Sequence, residues 1–351
     1  MKQSPSGTNS EYNQHVALKY QLYNSFFLTL PLGGIKDVGI LIPVLAETCR
    51  TKLQQGETPK NIIEQFLKEQ PNTKDQTEKF DFLFRVIQFV ERQVVLIDAL
   101  EDATFEDLNN LNGPGSISSL LIQAKREKKT NTLLEKINKF SIRPVLTAHP
   151  TQFYPGRVLA IITDLTNAIK RNKTDLIHTY LMQLGMTPFF KKKKPSPYDE
   201  AVNLTWYLQN IFYNSAGNII SSLRKNLSLN PGSLQLIQLG FWPGGDRDGN
   251  PFVNTDITLS VAQRLKETIL KCYYSDIRTI RRRISFAGVY EQLLKIEQQL
   301  LDSIRGKESL DYDSFKNGIQ SILDDLNTNH KGVFKELLED FLDRITLFGF
   351  Y

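Results

Sequence analysis

Residues 143–157 read Arg-Pro-Val-Leu-Thr-Ala-His-Pro-Thr-Gln-Phe-Tyr-Pro-Gly-Arg, and the architecture is read outward from them. Arg143 to Ala148 has the apolar run of a short buried strand, closed by His149-Pro150. Helical spacing returns from Arg157 to Ile169, so the unit is strand, loop, helix. The same order recurs about a hundred residues later. Leu234 to Phe241 alternates partly with period two, runs into the glycine-rich loop Gly240-Phe241-Trp242-Pro243-Gly244-Gly245-Asp246-Arg247-Asp248-Gly249-Asn250-Pro251, and leads into a long helix. That helix carries an apolar seam at Ile257, Val261, Leu265, Ile269, Tyr273, Ile277, Ile280 and Ile284, with Asn254 or Thr255 as its cap.

The rest of the chain reads as helix. Thr58-Pro59 opens a helix to Lys68, and residues 77–101 form a longer one, apolar on much of its circumference and therefore expected between other helices. Asn112-Gly113-Pro114-Gly115 is a break, followed by a surface helix over Ser116 to Lys139. Lys191 to Lys194 with Pro195 and Pro197 is a basic surface loop, and a helix runs from Asp199 through Trp206 to Phe212. Thr346 to Tyr351 reads as the start of a third strand, with the chain stopping inside it. No internal repeat is present.

Composition narrows the function classes. The 351 residues are 40% hydrophobic and 23% charged, which suits about two globular domains and excludes a disordered or collagenous chain. A net charge of +5 is mild for this length and lacks the concentrated basic stripe of a nucleic-acid binder. The apolar runs at Phe26–Leu32 and Val38–Ala46 fall short of the roughly 20 residues of a membrane span. Two distant cysteines, Cys49 and Cys272, suggest neither a disulfide framework nor a thiolate zinc site. The expectation is a soluble cytoplasmic protein with no membrane or nucleic-acid partner.

Two motifs bear chemistry. His149, at a strand end and before a proline, is aimed at the crevice where parallel α/β architectures hold ligands, and its imidazole suits proton transfer near neutrality. Spacing alone leaves open a buried histidine bonded to a nearby carbonyl. In the glycine-rich loop, Arg247 presents a bidentate fork to phosphate or carboxylate. A calcium loop is excluded, because its sixth and twelfth positions hold Pro251 and Ile257. A self-bonded turn, with Asp246 and Asp248 holding Arg247, remains an alternative. Glu91, Arg92, Asp98, Glu101 and Asp102 on the long helix read as interhelical ion pairs in preference to a metal site. His15, His178 and His330 have no evident partners.

LTAHPTQ and GFWPGGDRDGNP together resemble, in order and separation, the two N-terminal signatures of the phosphoenolpyruvate carboxylase family. VERQVVLIDALEDATF and KKPSPYDEA resemble its flanking helices. The resemblance implies a mainly α-helical protein, the N-terminal part of a β/α barrel with many surrounding helices and a few short strands. On that reading residues 1–20 are a flexible N-terminus, 21–140 a helical region, and 141–351 a partial barrel truncated at a barrel strand. It implies a carboxy-lyase that joins bicarbonate to phosphoenolpyruvate, giving oxaloacetate and phosphate with Mg2+ or Mn2+, in an oligomer, a tetramer in the family. His149 matches the family's catalytic histidine, and Arg247 the arginine that binds substrate and stabilises developing charge. The metal ligands of the family fall on no residue of this chain. Many relatives carry two arginines, linked to sugar-phosphate activation, where this chain has Pro155-Gly156. The expectation is an N-terminal piece of such an enzyme, inactive alone. The alternative is a naturally short, non-catalytic relative acting as an anion-binding or subunit-interaction module.

Overall fold

In the computed structural model, the described residues are 11–29, 36–69, 75–147, 154, 156–189 and 195–350. His149, the adjoining residues 148–153, Pro155, Lys191–Lys194 and Tyr351 lie outside them. The chain opens with a π-helical turn, Asn13–Ala17, then α1 (Leu18–Thr29), α2 (Lys36–Gln54), α3 (Pro59–Lys68) and α4 (Gln76–Leu108). Two short helices come next, α5 (Ile117–Arg126) and α6 (Thr130–Lys139), then β1 (Val145–Leu146), α7 (Gly156–Lys170) and α8 (Thr174–Met186). After these stand α9 (Pro197–Tyr207), a π-helical turn at Leu208–Phe212, α10 (Tyr213–Leu227) and β2 (Gly240–Phe241). The last helices are α11 (Thr255–Arg283), α12 (Val289–Ile304), α13 (Tyr312–Asn329) and α14 (Lys335–Phe348). The protein is thus mainly α-helical with a few short strands. No helix among the described residues is long and apolar enough to cross a membrane.

The chain divides into two compact units, Met1–Leu111 with Tyr154–Lys192, and Asn112–Phe153 with Lys193–Tyr351. In the first, α4 is the spine. Its start is fixed by a capping box: Asp75 Oδ1 accepts from Glu78 N at 2.8 Å, while the Glu78 carboxylate accepts from Asp75 N. Phe89, Val95, Leu96, Ala99 and Leu100 on α4 bury against Val158, Ile161 and Leu165 of α7 and Ile177, Leu181 and Leu184 of α8. The opposite face is not covered as its composition implies. Phe80, Phe84, Ile87 and Val94 are more than two-fifths exposed. The ion pairs expected of Arg92 are also replaced: its guanidinium is buried and donates to main-chain carbonyls of Gln88, Leu184, Gly185 and Thr187. A cation there satisfies the free carbonyls at the C-terminal end of α8.

In the second unit α10–α14 share one core around Tyr273, whose hydroxyl donates to Gly349 O at 2.8 Å. Of the seam read from Ile257 to Ile284, Ile269, Tyr273, Ile277, Ile280 and Ile284 are buried there with Leu265 partly so, and Asn254 Oδ1 caps α11 by accepting from Ile257 N at 3.0 Å. Thr346 to Phe348, expected to begin a strand, close α14 instead. Leu338, Phe341, Leu342, Ile345 and Phe348 recur at helical spacing and all are buried, and this seam outweighs the β-prone composition of the last residues. The single helix expected over Ser116–Lys139 is split, because Lys128 takes φ +55°, a left-handed turn that separates α5 from α6.

Both expected strands form, shorter than read and not buried on both sides. β1 and β2 pair in parallel, Val145 with Gly240 and Leu146 with Phe241, with an isolated bridge between Ile142 and Ile237. Pro144 has no N–H, so it contributes only its carbonyl, which accepts from Gly240 N at 2.8 Å. Val145 stays 44% exposed. A β/α barrel is not completed by two strands.

Cys272 sits on the buried side of α11, and burial pushes its thiol up to about 12, Asp276 adding to the rise and Arg344 opposing it. Near neutral pH Cys272 therefore stays protonated, and the reactive thiolate is scarce. In the folded chain a thiol reagent labels the half-buried Cys49 within minutes, while Cys272 reacts only after denaturant is added. Mass spectrometry of the labelled peptides checks this; equal labelling of both would contradict it.

Candidate functional site

Parallel pairing fixes where the two motifs leave the sheet. β1 and β2 run the same way, and Trp242 N donates to Leu146 O at 2.9 Å, so the pair ends level. The segment carrying His149 starts from one strand end and the glycine-rich loop from its neighbour. In parallel architectures that carboxyl edge is where ligands bind. His149 itself lies outside the described residues.

The loop after β2 is built tightly. Gly245 N and Asp246 N both donate to Trp242 O at 3.1 Å, turning the chain immediately after the strand. Asp246 Oδ1 accepts from Asp248 N at 3.1 Å, and Asn250 Oδ1 accepts from Phe252 N at 3.1 Å. The acidic side chains thus hold the backbone of their own turns. Among the described residues neither forms an ion pair with Arg247, so the self-bonded turn is present in a form other than the one anticipated.

The first turns of α11 form the platform beneath. Thr258 Oγ1 donates to Gly244 O at 2.7 Å and accepts from Arg247 Nη2 at 3.4 Å, fastening the loop and its arginine to one hydroxyl. Thr258 went unnoticed in the sequence; its position one turn into a capped helix was the available signal. Gly244 has φ +75°, and a Cβ there would lie 2.5 Å from Val261 Cγ2. Gly249 has φ +67° with open space around it. Gly244→Ala therefore costs strain plus a clash, about 1–3 kcal/mol, and Gly249→Ala strain alone, about 1 kcal/mol. Urea unfolding of the two variants separates these, and equal losses would mean that Val261 yields freely.

A cavity of about 920 Å³ opens beside the loop. Trp242, Asp246, Asp248 and Phe252 line it from the loop, and Ser196 and Glu200 from the start of α9. Arg247 does not line it, and the carboxylates that do make it a poor seat for a phosphate. An anion approaching this loop finds its cation in the exposed Arg247, outside the cavity. Among the described residues no group of three or more His, Cys, Asp or Glu side chains is arranged to hold a metal ion. The described residues therefore do not fit the divalent cation that the resemblance implies.

Comparison with known proteins agrees with the motifs. The family profile described as phosphoenolpyruvate carboxylase matches residues 41–318. A phosphoenolpyruvate carboxylase of Gloeobacter violaceus is 25% identical over 243 residues, covering 64% of this chain and 26% of the relative. The enzyme of that name from Nitrosomonas europaea is 25% identical over 305 residues, covering 76% of this chain and 32% of the relative. One from Salmonella gallinarum is 26% identical over 204 residues, covering 53% and 23%. The chain spans about a quarter to a third of the length of these curated relatives. With the profile matching well over half of its residues, and both signature motifs leaving the same end of a parallel strand pair, the chain belongs to the phosphoenolpyruvate carboxylase family.

Proposed function

We propose that the chain forms part of a phosphoenolpyruvate carboxylase, a carboxy-lyase converting phosphoenolpyruvate and bicarbonate to oxaloacetate and phosphate. The observation that carries this reading is the level ending of β1 and β2, from which the His149 segment and the Arg247 loop both depart. In the first step a bicarbonate oxygen attacks phosphorus and the bond from phosphorus to the enol oxygen breaks, giving carboxyphosphate and the enolate of pyruvate. His149 then takes the carboxyl proton of carboxyphosphate, which separates into CO2 and phosphate. The enolate carbon attacks CO2, forming the new carbon–carbon bond of oxaloacetate. Arg247, fastened through Thr258, holds a fixed guanidinium against the oxygens on which charge develops.

The divalent cation belonging to this chemistry, Mg2+ or Mn2+, is assigned to residues outside this chain. The activity is accordingly assigned to the protein extended to the length of its relatives, working as a homo-oligomer in the cytoplasm, with a small anionic substrate and no nucleic acid or membrane. Oxaloacetate formation coupled to malate dehydrogenase tests the reading. Activity is expected in the extended protein and absent from the 351-residue chain. No activity in either would favour the alternative, a short relative that binds an anion or a subunit without turnover. Glucose 6-phosphate is expected not to stimulate the extended enzyme, because Pro155-Gly156 supplies no guanidinium for the sugar phosphate; a clear rise in initial rate on its addition would refute that.

A further inference from the structure

We propose that Thr258 is a positioning residue for Arg247, its hydroxyl holding the guanidinium away from the neighbouring carboxylate of Asp248 and leaving that charge for an anion. The inference rests on the role proposed for Arg247, and its test does not use turnover.

The backbone around Arg247 is set by the loop itself. Gly245 N and Asp246 N are spent on Trp242 O, Asp248 N on Asp246 Oδ1 at 3.1 Å, and Asn250 N on Arg247 O at 3.3 Å. What is left to decide is the direction of the Arg247 side chain. Asp246 and Asp248 flank it directly, but the two are not equivalent. Asp246 is half-buried and already accepts an amide, whereas Asp248 is exposed and its carboxylate accepts no hydrogen bond among the described residues. Asp248 is therefore the competitor for the guanidinium. Yet both carboxylates line the cavity beside the loop and Arg247 does not, and among the described residues neither forms an ion pair with it.

Thr258 accounts for that separation. It stands one turn into α11, where the Asn254 cap fixes the backbone. Its single proton goes to Gly244 O at 2.7 Å, with Asn254 O next in reach at 3.1 Å. The oxygen that remains can only accept and a guanidinium can only donate, so Arg247 Nη2, at 3.4 Å, is the partner it suits. A β-branched side chain in a helix has few rotamers, which keeps this acceptor in one place. An exposed ion pair and one hydrogen bond to a charged group are both small, so a single well-placed hydroxyl decides between them. The result is a cation that no carboxylate neutralises, on the loop where a phosphate or carboxylate gains most from it.

The test uses nuclear magnetic resonance of the 351-residue chain with nitrogen-15 arginine, the Arg247 Nε–H signal being identified by its loss in Arg247→Ala. Thr258→Val keeps the side chain's shape and removes the hydroxyl. It is expected to shift that signal and to slow its exchange with water by roughly 1.5- to 5-fold, the range an exposed ion pair supplies. Thr258→Ser keeps the hydroxyl and should match the parent chain. Thr258→Val combined with Asp248→Ala removes the competitor and should return exchange to the parent rate. The Arg224 Nε–H, held by Asp343 Oδ2 in the same unit, is the folding control and should stay in place throughout. An Arg247 signal unchanged in Thr258→Val would overturn the proposal. So would a change that persists in the double variant, because the hydroxyl would then support only the shape of the loop. Movement of Arg224 together with Arg247 would overturn it too, since Thr258 would then serve the fold at large. Each of these failures leaves the proposed reaction intact, because that stands or falls on oxaloacetate formation.

Discussion

His149→Ala, made in the protein extended to the length of its relatives, is expected to lower oxaloacetate formation by roughly 10²–10⁴-fold, the range typical of a lost general base. The loss should fall on kcat, because the imidazole acts on a proton that exists only once carboxyphosphate has formed. Arg247→Ala is expected to cost about 10²–10³-fold, since it removes a charge-stabilising donor and leaves the rest of the loop in place. The fold should survive both changes. Arg247 is exposed, and its described hydrogen bond is the long one to Thr258 Oγ1, which keeps its stronger bond to Gly244 O. Steady-state kinetics with circular dichroism as a control decide it. Near-normal turnover in either variant would remove that residue from the reacting groups.

Arg224→Met is expected to be the most damaging single change to stability, at about 3–5 kcal/mol, the usual cost of breaking a buried ion pair from one side. Arg224 on α10 is 4% exposed and faces three carboxylates of α14, with Nε on Asp343 Oδ2 and Nη2 on Asp340 Oδ1 at 2.7 Å, and Nη1 on Glu339 Oε2 at 3.0 Å. Asp343 is 1% exposed, and after the substitution its charge would keep only Ser221 Oγ and the Gly232 amide as donors. The double variant Arg224→Met, Asp343→Leu removes both buried charges together and should recover most of the loss, because an apolar pair of similar volume commonly replaces a buried ion pair at little cost. Urea unfolding monitored at Trp206 and Trp242, both in the second unit, measures the difference. A loss in the single variant below about 1 kcal/mol would place the network among surface pairs that contribute little.

Much of the architecture is legible in the chain. The capping signals Thr58 and Asn254 are each found accepting from the third helical amide, so local hydrogen bonding placed those helix starts. The strand and the helix expected within 143–169, and the strand, loop and helix expected within 234–283, are also present, because Pro144 and the glycines of 240–249 punctuate the sequence strongly. Expectations failed where tertiary burial overrode local composition. Thr346 to Phe348 has strand-like composition yet extends α14, since Ile345 and Phe348 complete a seam whose other members lie before residue 346. The exposed flank of α4, with Phe80, Phe84 and Ile87, defeats the rule that an all-round apolar helix is covered on every side.

The candidate site shows the same division. Arg247 was marked by the glycines around it, and Gly244 does adopt a backbone that only glycine holds without strain. The supports of the loop were invisible, because Thr258 reaches Gly244 across 14 residues and no periodic pattern encodes that contact. Arg92 illustrates the converse. Its neighbours Glu91 and Asp98 suggested ion pairs, whereas the helix rotation turns the guanidinium toward the end of α8, where four carbonyls serve in place of a carboxylate.

The central assignment is that bicarbonate attacks phosphorus, with His149 releasing CO2 from carboxyphosphate and Arg247 stabilising the charge that develops. The extended protein, supplied with phosphoenolpyruvate, Mg2+ and bicarbonate labelled with oxygen-18, tests it through the mass of the products. Attack on phosphorus and subsequent loss of CO2 leaves a single labelled oxygen in the phosphate and delivers labelled carboxylate to oxaloacetate. That pattern is the predicted result, with His149→Ala forming the same labelled products at a much lower rate. Phosphate free of label would mean that water is the nucleophile and would contradict the assignment.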